Sequence, residues 1–191
     1  MGREFELKYR ATPEQLAAVE ARYGGFSPIS METTYYDTPD GVLSRLRWTL
    51  RRRMENGRSV CTLKTPLPDG SRGEWETECA DIRDAIPELC KLSNSRQLLL
   101  LTAGGICPSC GAKFTRLART LSYSGCTVEL ALDRGLLLGG GKELPFAELE
   151  VELKEGSEEA AAAFARTLAQ EFGLVPEPKS KICRAQALTR T

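Results

Sequence analysis

The chain contains no histidine. That absence removes the Ser-His-Asp triad, a histidine general base and histidine metal ligands together. Any hydrolytic chemistry must use carboxylates, lysine, tyrosine or an oxygen-bound hard metal ion. Net charge is missing as well, 26 basic residues balancing 26 acidic ones. A zero balance argues against binding nucleic acid or a membrane surface, which draws on a basic excess. Long apolar runs are lacking: the Leu98–Leu101 run is far below the ~20 residues a membrane-crossing helix needs. The sequence does not open on a basic segment followed by an apolar one, so a cytoplasmic location without a membrane partner is expected. The seven cysteines are odd in number and lack a framework spacing, which points to free thiols.

What remains is a chain of 191 residues with 41% hydrophobic and 27% charged residues, the size and composition of one globular domain. Thr12-Pro13-Glu14-Gln15 predicts a capped helix start, and Gly24-Gly25 its end. Ser157, followed by Glu158 and Glu159, starts a second helix that Gly173 stops. Residues 81–92 and 95–104 also read as helical. Strand patterns occupy 33–37, 46–54, 58–65, 72–78, 114–123, 126–133 and 146–154, with an opening strand at 3–10. About eight strands and few helices predict an α+β, mainly antiparallel architecture, either sandwich or barrel.

The charges alternate along these strands. Glu4, Glu6 and Lys8 share a side, as do Arg51 and Arg53, Thr62 and Lys64, and Arg72, Glu74, Glu76 and Glu78. Glu129 and Asp133 share another, and so do Glu148, Glu150 and Glu152; Lys179 and Lys181 follow near the end. In a sandwich such faces would simply meet water. Rows of like charge repel, however, unless a cation offsets them. The alternative is a barrel with its charged faces inward, wet, mutually paired and completed by ligands. Acidic clusters would then hold Mg²⁺ or Mn²⁺ through oxygen. Arg51, Arg53, Lys64, Arg72, Arg116 and Lys181 would hold an anion rich in oxygens, such as a polyphosphate.

The segments "EFELK" (4–8), "YYDTPDGVL" (35–43), "LRRR" (50–53), "TLKTP" (62–66), "RGEWETE" (72–78), "FTRLAR" (114–119), "VELALDRG" (128–135), "AELEVEL" (147–153) and "KSKICRA" (179–185) resemble, in order, the landmarks of the CYTH superfamily, the triphosphate tunnel metalloenzymes. The resemblance runs from residue 3 to about 185. It implies a closed eight-stranded β-barrel with flanking helices, a single CYTH domain over 1–191, and Mg²⁺ or Mn²⁺ as cofactor. Glu4, Glu6, Glu148 and Glu150 match metal-binding carboxylates, with Glu152 beside them. Lys8, Arg51, Arg53, Lys64, Arg116 and Lys181 match triphosphate contacts, to which Arg72 and Lys179 are added as neighbouring bases. Glu76, with Glu74, matches carboxylates tied to a second metal and the attacking water, and Glu129 and Asp133 match acidic positions of a core strand. Tyr35 and Lys64 stand where some relatives carry a Tyr–Lys pair that assists proton transfer.

The implied activity is metal-dependent hydrolysis of a triphosphate, first of all inorganic triphosphate, by a monomer or homodimer. Thiamine triphosphatase, class IV adenylyl cyclase and a non-catalytic polyphosphate or nucleotide-binding module are the alternatives. "WTLRRR" (48–53) resembles the Trp-Leu-Arg-Arg-Arg of thiamine triphosphatases, but Thr49 intervenes, and one residue flips a strand position to the other face. Trp48 therefore reads either as a ring platform at the mouth or as outer core. "CPSCG" (107–111), in an elaboration at about 95–113, departs from the family pattern. A lone Cys-x-x-Cys is half of a zinc site, and a turn with free thiols is the simpler reading.

Overall fold

The computed structural model describes residues 2, 3 and 5–189. Its strands are β1 (Gly2–Arg3), β2 (Glu6–Arg10), β3 (Ser27–Asp37), β4 (Thr49–Glu55), β5 (Arg58–Pro66), β6 (Arg72–Glu78), β7 (Cys107–Tyr123), β8 (Cys126–Gly139), β9 (Lys142–Gly156) and β10 (Val175–Pro176). The helices are α1 (Pro13–Tyr23), α2 (Val42–Arg45), α3 (Ile82–Leu92), α4 (Gln97–Leu101), α5 (Glu158–Phe172) and α6 (Lys181–Leu188). All strands join one antiparallel sheet in the order β1-β6-β5-β4-β3-β7-β8-β9-β2-β10.

The two ends of that order are stitched by one chain segment. β1 pairs with β6 and β2 pairs with β9, while only residues 4 and 5 separate β1 from β2. Strand twist has curled the sheet until its N-terminal run meets both edges. The expected α+β antiparallel architecture with flanking helices is thus present. The closed eight-stranded barrel needs correcting, because among the described residues ten strands form an ordered ladder whose hydrogen bonds do not make an unbroken ring.

The outer face carries the apolar side of each alternation. Leu16 and Val19 of α1 and Ala161, Phe164, Ala165 and Leu168 of α5 pack on Tyr9, Val128, Leu130, Leu132, Leu149 and Val151. Each leucine buried there stabilises the fold by roughly 1.5–3 kcal/mol. The capping box predicted for α1 is present: Gln15 N donates to Thr12 Oγ1 at 3.2 Å and Thr12 N to Gln15 Oε1 at 2.8 Å. Gln15 Nε2 also donates to the carbonyls of Phe172 and Gly173, each at 2.9 Å, tying the start of α1 to the end of α5. Gly173 is left-handed at φ 66°, as a helix-ending glycine should be. Over the other half, α3 and α4 cover Leu50, Cys61, Leu63 and Trp75.

Several boundaries differ from the sequence reading. The strand expected over 46–54 starts at Thr49, because α2 and its turn take up the preceding residues. The Asp37 carboxylate causes that turn, accepting from the backbone N–H groups of Thr38, Leu43 and Ser44 at 2.8, 2.9 and 3.1 Å. Trp48 is half-buried and packs against the outer core. The "CPSCG" segment is not a turn. It opens β7, with Cys107 opposite Asp37 and Cys110 opposite Tyr35 across a register shift. All seven cysteines are free thiols, and burial pushes Cys110 up to about 11.

Candidate active site

Register alone gathers the predicted residues on the inner face. Lys8 stands opposite Glu150, and Glu6 opposite Glu152, which stands opposite Glu129. Asp133 lies opposite both Glu148 and Arg116. On the other half, Tyr35 faces Arg51, Arg51 faces Thr62, Thr62 faces Glu76, and Lys64 faces Glu74. Because side chains alternate with period two, these positions and Arg53 and Arg72 fall on the side opposite the helix-covered core. Glu4 lies outside the described residues.

Near β7–β9 the charges are buried and paired among themselves. Arg116 grips Asp133 through two parallel hydrogen bonds of 2.8 Å, Nε to Oδ1 and Nη2 to Oδ2, and also donates to Glu150. Lys181, at the first turn of α6, reaches Asp133 at 2.7 Å, Glu150 at 2.8 Å and Glu148 as well. Arg184 pairs with Glu148 one turn later. Three carboxylates thus meet three cations. Asp133 and Glu148 have fully inaccessible side chains, where an unpaired ion would cost several kcal/mol. Phe114 and Phe146 place their rings 5.1 and 5.6 Å from the Lys181 ammonium, a favourable cation–π setting.

The electrostatics follow from that packing. Burial alone would push Glu150 up, but Lys181 and Arg116 hold it well below the ordinary carboxylate range. Glu148 moves the other way: burial raises it, and neighbouring Glu150 adds to the rise against the pull of Lys181. Burial disfavours the Lys181 charge, yet Asp133, Glu150 and Glu148 keep it protonated far above the usual lysine range.

The β4–β6 half is looser. Arg51 lies 3.5 Å from both Glu74 and Glu76, and Lys64 3.1 Å from Glu74. Thr62 Oγ1 donates to Glu76 Oε1 at 2.8 Å. The Glu76 side chain is 47% exposed. Partial burial pushes it up, but Arg51, Thr62 and Lys64 outweigh that and lower it. Arg53 donates to Thr33 Oγ1 at 3.0 Å, and burial next to Arg51 pulls it down to about 10. Arg72 stands at the rim, 3.4 Å from Arg47 O and Thr49 Oγ1.

Tyr35 and Lys64 stand two strands apart, and Lys179 and Lys181 do not share a strand. Tyr35 is buried on β3, Lys64 sits on β5 with β4 between them, and Lys64 lies 3.1 Å from Glu74. Lys179 precedes α6 and is exposed, whereas Lys181 is buried; a helix replaces the alternation that had joined them. Arg184 was missed for the same reason. Its signal is the three-residue spacing from Lys181, which puts both on one helix face. Lys154 was also missed; it lies 2.8 Å from Glu152 and 3.9 Å from Glu129.

A CYTH domain model matches residues 2–185. The chain belongs to the CYTH family. It is 27% identical, over 195 aligned residues and 98% of its length, to an inorganic triphosphatase of Haemophilus influenzae, and it spans about half of that relative (55%). Among solved structures, a putative adenylyl cyclase from Hippeastrum, described as having a dominant triphosphatase activity, matches with a TM-score of 0.67 at 20% identity, covering 98% of this chain and 95% of that one. A putative adenylate cyclase from Bacillus halodurans matches with a TM-score of 0.66 at 20% identity, covering 93% of each. These two structures support the CYTH fold alone.

A divalent cation suits two groups of this CYTH domain chemically. Asp133, Glu148 and Glu150 offer oxygens within 4.8 Å of one another, but Lys181 and Arg116 already fill that space. The row Glu6–Glu152–Glu129 is the more open set, each carboxylate about a quarter exposed. Three oxygen donors on adjacent strands are of the kind a hard cation takes, although among the described residues only the buried trio already has its oxygens within 4.8 Å of one another.

Proposed function

We propose that this CYTH domain hydrolyses the terminal phosphoanhydride bond of a triphosphate, with inorganic triphosphate as its substrate and Mg²⁺ or Mn²⁺ as cofactor. The supporting observation is the inner face itself, where one curled sheet sets a carboxylate row against a basic half through strand register. A bound divalent cation, held by Glu6, Glu152 and Glu129, would offset phosphate charge and polarise the reacting phosphorus. Arg51, Arg53, Lys64 and Lys8 bind the remaining oxygens, the guanidinium forks suiting phosphate.

Glu76 orients the attacking water. One of its oxygens is taken by Thr62 and Arg51, and the side chain's exposure leaves the other open to a water proton. With its pKa lowered, the carboxylate stays ionised and acts as a hydrogen-bond acceptor at neutral pH. Water adds to the terminal phosphorus, the bond to the bridging oxygen breaks, and pyrophosphate departs. Lys64 is the better placed lysine to protonate it. Lys181, clasped by three carboxylates, keeps its proton and serves as a fixed charge.

Trp48 is half-buried and packs against the outer core, which supports the inorganic substrate over thiamine triphosphate. The test measures phosphate release from inorganic triphosphate, ATP and thiamine triphosphate side by side, with Mg²⁺, Mn²⁺ and EDTA. Inorganic triphosphate is expected to be fastest and EDTA to stop turnover. A wide margin for thiamine triphosphate, or activity indifferent to chelation, would reject the reading.

A further inference from the structure

The β8–β9 ladder loses register once, between Thr127 and Val128. Thr127 opposes Glu155 and Val128 opposes Leu153, so Lys154 has no residue across from it and is the bulged position. Bulges re-aim side chains beside functional sites. Here the ammonium lies 2.8 Å from Glu152 Oε1 and 3.9 Å from Glu129 Oε2. Those carboxylates are direct cross-strand neighbours, and Glu6 continues their row on β2.

Like charges placed opposite one another on a sheet repel, so the row needs positive charge when no metal is bound. Among the described residues, Arg116 and Lys8 also approach it. Arg116 Nη1 is 3.9 Å from Glu129, but its fork is committed to Asp133 and its Nη2 also meets Glu150. Lys8 lies 3.5 Å from Glu6 at the other end of the row. Lys154 differs from both in accessibility: its side chain is 40% exposed, against 10% for Arg116 and 14% for Lys8. A long lysine stem lets such a head group move into water while the backbone stays in place.

We propose that Lys154 is the resident counter-ion of the Glu129–Glu152 pair, displaced when a divalent cation binds, and that it thereby sets the metal affinity of the row. The inference rests on the reading of Glu6, Glu152 and Glu129 as the metal-holding row. A half-exposed ion pair of this kind shifts an equilibrium by about two- to fivefold, enough to tune metal occupancy without abolishing it.

The test is Mn²⁺ binding to the metal-free protein without triphosphate, following free Mn²⁺ by electron paramagnetic resonance. Lys154→Met should bind Mn²⁺ about two- to fivefold tighter, and Lys154→Arg should return the affinity toward wild type. Lys142→Met removes an equal charge at the distant end of β9, beyond the range at which salt leaves exposed charges coupled, and should change nothing. Glu152→Gln should weaken binding. Wild-type affinity in Lys154→Met, with Glu152→Gln still weakened, overturns the counter-ion and leaves the metal row standing. Equal tightening by Lys142→Met reduces the effect to net charge and also overturns it. If Glu152→Gln binds as wild type, the row is not the metal site and both readings fail.

Discussion

The two halves of the inner face use the same residue types and arrive at opposite states. Around β7–β9 and α6, Asp133, Glu148 and Glu150 are matched to Arg116, Lys181 and Arg184 in near-complete burial. Around β4–β6, Glu74 and Glu76 face Arg51 and Lys64 at longer distances, with Glu76 open to solvent. The cost of burying charge explains the contrast. Where water is excluded, each ion must be satisfied by the protein itself. Where water remains, pairing can stay loose and a ligand can compete for it. The first half is a self-paired electrostatic floor, and in the proposed reading the second would be where substrate and water exchange.

Breaking the floor should therefore cost stability first. Asp133→Ala leaves Arg116 and Lys181 buried with a carboxylate missing, and removing one partner of such a network typically costs about 3–5 kcal/mol. Urea denaturation should show that loss as a lower midpoint with an unchanged slope. A loss below about 1 kcal/mol would mean that water reaches the cluster and that the two halves do not differ.

The open half should respond in activity instead. Glu76→Ala is expected to lower the rate of triphosphate hydrolysis by about 10²-fold or more, the scale of a group that positions a proton acceptor. Its denaturation midpoint should stay near wild type, because the side chain is half solvated. Triphosphate binding, measured with Ca²⁺ in place of the active metal, should fall far less than turnover. Equal losses in binding and turnover would make Glu76 a structural carboxylate.

This contrast was only half legible in the sequence. Period-two alternation at 148–152 and 72–78 found the inner face correctly, because a strand leaves no third direction for a side chain. Alternation carries no information about depth, so nothing distinguished Glu148, fully buried, from Glu76. Nor could it foresee α6: Lys179 and Lys181 look like a strand pair until Ser180 caps a helix between them, its hydroxyl accepting from Cys183 N at 3.3 Å. The Lys154 bulge is an event of pairing between two strands, and neither strand alone encodes it. The Cys-x-x-Cys misled for a simpler reason: Gly and Pro suggested a turn, but pairing of Cys107–Tyr123 with Ser27–Asp37 holds the segment extended.

Acid should separate the halves again. Glu150 is lowered in the folded protein, so its contribution to stability is present above the ordinary glutamate value of 4.5 and is lost as pH falls through its lower folded value. Lys181 is raised, so its contribution persists through neutral pH and up to the ordinary lysine value of 10.5, beginning to fade only above that. Urea midpoints should thus be steady between pH 6 and 9 apart from thiol effects and fall below about pH 4.5. Glu150→Gln should flatten the acid limb more than Glu76→Gln, since only Glu150 is enclosed. An acid limb unchanged by Glu150→Gln would place the responsible carboxylates elsewhere.

The smallest effect is expected at Lys179, which the sequence places as a neighbouring base beside Lys181. Lys181 sits under two aromatic rings on three carboxylates, so Lys181→Met should lower both stability and turnover. Lys179 is exposed before the α6 cap, and its charge acts on the inner face only through screened solvent. Lys179→Met should leave the denaturation midpoint unchanged and raise the KM for triphosphate by about twofold at low salt, an effect that disappears at 0.5 M salt as the Debye length shrinks. A loss in kcat that survives high salt would mean that Lys179 touches the substrate, and would return it to the site beside Lys181.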